Sequence, residues 1–317
     1  MRYYLAPMEG ITGYIYRRAQ HDLFCAFDKY FSPFLAPRQK KVFNSRETRD
    51  ILPENNGGMY LVPQLLTNRA EDFIRAAKKL EEYGYHEVNL NLGCPSGTVV
   101  SKGKGAGFLG QPQLLERFLE EIFSAFPAPK SGGSGLEISI KTRLGMEDAE
   151  EFSRLMELYR RYPLKELIVH PRVREDYYEN HPDWDAFDRA LSEAPFPVVY
   201  NGDLFTIEDM ARFQERFPSV ETVMLGRGAV ADPSLIRQLK GGAPLSRKEL
   251  ERFLDRLAGD YAEALSGERD VLFKLKELWS YLGKLFPEGG AELKRIRKAG
   301  QLSEYRAAVS SLLRSLG

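Results

Sequence analysis

Cysteine is nearly absent from this 317-residue chain, which holds only Cys25 and Cys94. Two thiols cannot build a disulfide framework, so the composition points to a reducing compartment. An excess of one charge is missing too. Lys and Arg total 45, as do Asp and Glu, so no whole-molecule field steers it toward a polyanion, although a basic face can exist within a neutral total. No apolar run reaches the ~18 residues of a membrane span, and no secretory h-region precedes the first strand-like segment. The expectation is a soluble, cytoplasmic protein with no membrane partner. Histidine is scarce, at four. No His/Asp/Glu spacing resembles a metal site, so no metal is expected and a zinc hydrolase is disfavoured. A Ser-His-Asp arrangement is likewise absent. The length suits a (β/α)8 barrel with an appendage.

Short apolar runs alternate with segments of helical period. Strands are expected at 3–8, 29–34, 60–64, 86–92, 136–142, 166–170, 197–201 and 222–225. Helices are expected at about 69–83, 112–126, 149–161, 184–192 and 207–217, with a short one from Pro233. Eight strands alternating with helices imply a parallel sheet closed into a barrel. Near Gly241-Gly242-Ala243-Pro244 the pattern changes to helix alone, at about 247–265, 270–286, 291–298 and 303–316, with Ser246 and Glu249 set as a capping box. The expected architecture is therefore a TIM barrel over 1–242 and a small all-α domain over 243–317. From Lys240 onward there are 15 Lys and Arg against 11 Asp and Glu, a mild excess that also suits a solvated helical surface. The Ser131–Gly135 stretch reads as a flexible loop on the stability face.

Chemistry in such a barrel comes from the C-terminal ends of the strands. Capable residues recur there: Pro7-Met8-Glu9-Gly10, Gln64, Asn91 and Cys94, Lys141 and Arg143, His170 and Arg172, Asn201-Gly202-Asp203, and Gly226-Arg227-Gly228. Packing alone does not put such groups in one register in seven strands. Gly226-Arg227-Gly228 after the last strand stands where barrels of this kind bind a phosphate. The glycines of 102–107 form a second candidate, equally readable as a lid. A phosphate site, three amides (Gln64, Asn91, Asn201) and a cation (Lys141) suit flavin mononucleotide, whose ring has a uracil-like edge and becomes anionic when reduced.

Several motifs, in this order, resemble those of the tRNA-dihydrouridine synthases. They are Ala6 to Thr12 (APMEGIT), Gln64, Asn89 to Pro95 (NLNLGCP), Lys102 to Gly107, Ile140 to Arg143, Val169 to Arg172, Asn201 to Asp203 and Met224 to Gly228. The helical tail fits as well, including Lys276 to Tyr281. Two positions depart from the family pattern: Gly13, where Asp is frequent, and Pro171, where a small residue is usual. Neither removes a group that the chemistry needs.

The resemblance implies reduction of tRNA uridines to 5,6-dihydrouridine with NADPH and FMN. It places Pro7, Met8, Glu9, Gln64, Lys141, His170, Asn201, Gly202, Asp203, Gly226 and Arg227 on the cofactor. Asn91 would set the uracil, with Lys102, Arg143, Arg172 and Arg174 on the RNA side. Reduced flavin would deliver hydride from N5 to C6, and Cys94 would protonate C5. A thiol suits that step because it is mostly protonated at pH 7 yet gives up its proton readily. Plainer readings stand beside several assignments. Asp203 also suits a turn or cap, Arg227 an ion pair, Lys102 and Lys104 a solvated loop, and Trp279 and Tyr281 a helical core. Cys25 reads as structural. The chain is expected to act as a monomer. The rival function is an FMN-dependent barrel oxidoreductase acting on a free pyrimidine or other small enone, of the dihydroorotate dehydrogenase kind. Such a substrate would need no helical second domain. A non-catalytic RNA-binding protein is disfavoured because Cys94 and Lys141 are both present.

Overall fold

The computed structural model describes residues 1–127 and 135–314, so 131–134 of the expected loop lie outside the described residues. Nine parallel strands form: β1 (Arg2–Leu5), β2 (Lys29–Phe31), β3 (Leu61–Val62), β4 (Gln64–Leu65), β5 (Glu87–Leu92), β6 (Glu137–Thr142), β7 (Leu167–Val169), β8 (Val198–Tyr200) and β9 (Thr222–Leu225). Their hydrogen-bonded order is β3-β2-β1-β9-β8-β7-β6-β5-β4. The two ends of that order, β3 and β4, are halves of one strand interrupted at Pro63, which has no N–H to give to a ladder. One half pairs with β2 (Tyr30 with Leu61) and the other with β5 (Gln64 with Asn89). The sheet therefore closes, and the eight expected strands make a (β/α)8 barrel with the third split by proline.

Expected helices appear as Ala70–Glu82, Pro112–Ala125, Glu151–Tyr159, Trp184–Glu193, Ile207–Arg216 and Leu235–Leu239. Among the described residues four helices escaped the sequence reading: Tyr14–Leu23, Ser45–Ile51 and the short Gly97–Val100 and Arg227–Ala231. The first has a blurred apolar stripe because Arg17 and Gln20 are among its buried residues. Beyond Ser246 no strand occurs among the described residues. The helices there are Arg247–Ala264, Glu268–Leu282, Gly290–Lys298 and Leu302–Leu313, and the first begins with the expected capping box. No helix of the described residues is long and apolar enough to cross a membrane.

Two compact units form. The first comprises Met1–Pro7, Lys29–Asp203 and Ser219–Met224. Alternation along each strand sends one set of side chains into the barrel and the other against the helices. Tyr4, Ala6, Phe31, Val62, Ile168, Val199 and Met224 form an apolar cluster inside. Across β5 and β6 the inward positions are polar instead: Glu87, Asn89, Asn91, Ser139 and Lys141. The second unit comprises Met8–Asp28, Leu204–Pro218 and Leu225 onward. Its core packs Tyr16 and Phe24 edge-on against Phe253, with ring centroids at 5.7 and 5.3 Å. Trp279 is buried and donates to Tyr305 Oη at 2.9 Å, a helical-core role.

At the N-terminal end of the barrel, Lys29 Nζ bridges Glu87 (2.7 Å) and Glu166 (3.1 Å). Tyr60 and Tyr4 donate their hydroxyls to the same two carboxylates. Burial, and then the neighbouring Glu87 charge, raise the Glu166 pKa. Removing the cation by Lys29→Met leaves both carboxylates uncompensated, at an expected cost of about 3–5 kcal/mol. A carboxyl with a raised folded-state pKa penalises folding above that pKa, and the penalty lifts as pH falls through it. The stability deficit of Lys29→Met should thus be larger at pH 7.5 than at pH 5. Thermal unfolding at both values checks this; an equal deficit at both pH values would contradict it.

Candidate active site

Residues Gly93 to Pro95 form the turn that follows β5. Asn91 Oδ1 accepts from the backbone N–H of Gly93 (3.1 Å) and of Cys94 (3.0 Å), a side-chain clasp of the kind Asn makes at turns. From the other side, Ala106 N–H donates to the Cys94 carbonyl at 3.0 Å. Gly105 makes this approach possible. Its φ is +56°, and a Cβ there would lie 2.9 Å from both Cys94 O and Val99 Cγ1. A Cβ on Gly107 would lie 2.7 Å from Val100 O. The glycines at 105 and 107 thus have a packing cause, since the loop folds onto the cysteine turn. Asn68 Nδ2 holds it at the carbonyls of Lys102 (3.0 Å) and Gly103 (3.2 Å), while Lys102 is exposed.

Asn91 Nδ2 donates to Gln64 Oε1 at 2.7 Å. In the β5–β6 register Asn91 stands opposite Lys141. Among the described residues the Lys141 ammonium makes no hydrogen bond and no ion pair. Burial first, and then the Arg143 charge, bring its pKa down to about 7, and Cys94 acts in the opposite sense.

Three expected site residues interlock at the ends of β7 and β8. Arg172 pairs with Asp203 through Nη1–Oδ1 (3.1 Å) and Nη2–Oδ2 (2.5 Å), and its Nε donates to Asn180 O. Arg172 Nη1 also lies 3.0 Å from His170 Nε2. Guanidinium only donates, so Nε2 accepts and the imidazole carries its proton on Nδ1. Asn201 Nδ2 donates to Met224 O at 2.8 Å. Gly202 is tightly fitted, since a Cβ there would lie 2.1 Å from Tyr200 Oη.

The arginines differ in setting. Arg143 is fully buried, with Nε on Gly93 O (3.0 Å), Nη1 on Val173 O (2.7 Å) and Nη2 on Tyr177 O (2.6 Å). Arg172 is 1% exposed. Both bind protein rather than presenting donors outward, whereas Arg174 is half-buried and lies over the Tyr177 ring at 5.2 Å. The structure adds Tyr178, half exposed, with its ring 5.8 Å from His170 and the Arg143 guanidinium 5.4 Å from it. Its signal in the sequence was a tyrosine pair in an Arg-rich segment just past a strand end. Tyr177 has φ +47°, the one non-glycine residue with positive φ among those described.

The remaining expected residues follow β1 and β9. Pro7 leads into a turn in which the N–H groups of Ile11 and Thr12 donate to Met8 O, and Thr12 Oγ1 accepts from Met8 N. Glu9 is exposed, and Gly10 has φ +81°. Within the second unit, Lys274 Nζ donates to Gly10 O at 2.9 Å. Gly226 precedes the short helix Arg227–Ala231. Arg227 and Lys284 both lie on the Phe205 ring, at 5.3 and 4.1 Å, which gathers two positive charges at one aromatic residue.

This geometry can be compared with known proteins. A variant of NCR from Zymomonas mobilis has a solved structure that aligns with a TM-score of 0.53 at 14% identity, covering 80% of this chain and 90% of its own; that likeness concerns the fold. The tRNA-dihydrouridine(16) synthase of Cupriavidus necator is 30% identical over 98% of this chain and 97% of its own length. The protein of that name from Escherichia coli K12 is 27% identical over 98% of each. The model of the family described as Dihydrouridine synthase (Dus) matches residues 4–310. The chain belongs to the dihydrouridine synthase family and is an oxidoreductase acting on a CH–CH bond.

Proposed function

We propose that the protein reduces a uridine of tRNA to 5,6-dihydrouridine, with FMN as cofactor and NADPH as reductant. The observation that carries this reading is the Cys94 turn, clasped by Asn91 and electrostatically coupled to Lys141, in a chain of this family. The residues present fit a flavin. Lys141 has free donors for an electron-rich ring edge, and Gln64 and Asn91 each keep an amide N–H outside the bonds described above. Within the same unit, His170 carries a proton on Nδ1. When bound, the reduced flavin supplies hydride to C6 of the uracil.

Cys94 then acts as the general acid. Its Sγ holds a proton until charge develops at C5 and delivers it there. Hydroxyl groups of Ser or Thr are too weak for this task, whereas an ordinary thiol with pKa about 8.5 is suited to it. Asn91 fixes where that proton is held, because its Oδ1 orients the Cys94 backbone. Arg143 and Arg172 shape the rim from beneath, and Arg174 and Lys102 face the RNA. In this reading residues 1–242 carry the catalytic barrel and 243–317 the tRNA-anchoring helices. Extruding the target base costs least in an unpaired loop. The names of the relatives support position 16 as the target.

Cys94→Ala should keep flavin and NADPH oxidation while slowing dihydrouridine formation by about 100-fold or more; wild-type product yield from Cys94→Ala would refute the acid role. A Lys141 pKa near 7 in the flavin-free protein makes flavin binding pH-dependent. Contact with an electron-rich ring edge raises that pKa, so affinity is full below pH 7. It then falls, by up to about tenfold per pH unit, as pH rises from 7 toward the bound-state value. Fluorescence titration with FMN from pH 6 to 9 should show this slope, and Lys141→Met should bind more weakly at pH 6 and without the slope. Mapping of dihydrouridine in tRNA from a deletion strain should show loss at position 16 and restoration by the wild-type gene. Loss elsewhere would overturn the position, and no loss the activity.

A further inference from the structure

Inside the first unit, an unbroken hydrogen-bond ladder runs up one wall of the barrel. Its foot is Glu87, 2% exposed, whose Oε2 accepts from Lys29 Nζ at 2.7 Å and from Tyr60 Oη at 3.2 Å. Ser139 Oγ donates to Glu87 Oε1 at 3.0 Å. Asn89 Nδ2 donates to Ser139 Oγ at 3.0 Å. Gln64 Nε2 donates to Asn89 Oδ1 at 2.8 Å, and Asn91 Nδ2 to Gln64 Oε1 at 2.7 Å. The last rung is the Asn91 Oδ1 clasp on the N–H groups of Gly93 and Cys94. Ser139, Asn89 and Gln64 are fully buried.

Every rung points the same way. A serine hydroxyl has one proton, and a carboxylate accepts only. Ser139 must therefore turn its proton to Glu87, which leaves its lone pair for Asn89. That choice fixes the Asn89 amide, which fixes Gln64, which fixes Asn91. At the top the partners are backbone N–H groups, which only donate. The direction is thus set from both ends, and reversing one amide would face two donors or two acceptors at a buried contact, at a cost the interior does not repay.

We propose that Glu87 and Ser139 are positioning residues for Cys94: from the far end of the barrel they set the orientation of Gln64 and Asn91, and through Asn91 the conformation of the cysteine turn. Glu87 and Asn91 are four residues apart on β5, about 13 Å at ~3.3 Å per residue. Glu87 opens β5 and Ser139 lies within β6, so neither stands at the C-terminal strand ends where the chemistry is sought. The ladder also decides what the top of the barrel offers a ligand. Gln64 and Asn91 use their carbonyl oxygens within the protein and keep an N–H each, so the amides present donors. This deepens, and for its catalytic meaning rests on, the proposed reduction of uridine.

The test uses the full chain carrying Cys25→Ser, so that Cys94 is its only thiol, freed of flavin and without RNA. The rate of Cys94 alkylation by iodoacetamide is followed from pH 6 to 10. Ser139→Ala should change the rate at pH 8 by threefold or more and move the midpoint of the pH profile. Ser139→Thr, which keeps the hydroxyl, should restore both. Glu87→Gln should behave like Ser139→Ala, because its amide can donate to Ser139 and oppose the chain of donors. Should Ser139→Ala fail to fold, Glu87→Gln and Ser139→Thr carry the same comparison. Folded Ser139→Ala or Glu87→Gln with the parent rate and midpoint would overturn the proposal. Alkylation needs neither cofactor nor tRNA, so a parent protein that forms no dihydrouridine would defeat the functional reading and leave this result standing. In an active protein, Ser139→Ala should lower kcat with KM for tRNA unchanged.

Discussion

Within a closed barrel, a fully buried polar side chain needs hydrogen-bond partners among the groups around it, because each one left unpaired costs free energy. That constraint organises the first unit. The apolar positions on β1, β2, β3, β7, β8 and β9 fill most of the interior. The polar side chains of Gln64, Glu87, Asn89, Asn91 and Ser139 form a mutually satisfied set, anchored by the Lys29 cation between Glu87 and Glu166. A partly satisfied set would be worse than an apolar wall. The rigidity that follows reaches the cysteine turn through the Asn91 clasp on the N–H groups of Gly93 and Cys94.

The arginines obey the same logic from a different direction. Arg143 ties the Cys94 turn to the Val173–Tyr177 segment through three carbonyls. Arg172 ties His170 to Asp203 and fixes the imidazole tautomer. A guanidinium presents its donors in a planar fork, so it can hold two or three chain segments in register where lysine would hold one. Lys141 is the contrast. It has no such partners, and burial lowers its pKa to about 7, which leaves its charge responsive to whatever binds beside it.

The barrel could be read from the sequence because alternation of apolar strands and helical periods survives in short windows. Strand ends were also within reach, since Gly, Pro and Asn mark them. Burial was harder to foresee. Arg143 and Arg172 carry charge, and charge alone suggests an exposed RNA face; the carbonyls around Arg143 and the Asp203 carboxylate beside Arg172 explain why they lie inside. The helix Tyr14–Leu23 was hidden for a related reason, with Arg17 among its buried residues. The Glu87–Ser139–Asn89–Gln64 ladder joins three strands whose residues are up to 75 positions apart, and no local window contains its pairings. Pro63 was visible as a residue, but its effect of splitting one strand between two neighbours depends on the closed sheet.

The fit of Gly105 against Cys94 has a consequence for how this site can change over generations. The loop 97–110 and the cysteine turn share a backbone contact with no room for a methyl group. A larger residue at either place would need a compensating change at the other. The two segments are therefore expected to be inherited as one cassette. An exchange of substrate preference between relatives would then come from regions outside that cassette, with the Cys94 turn and its cover passed on together.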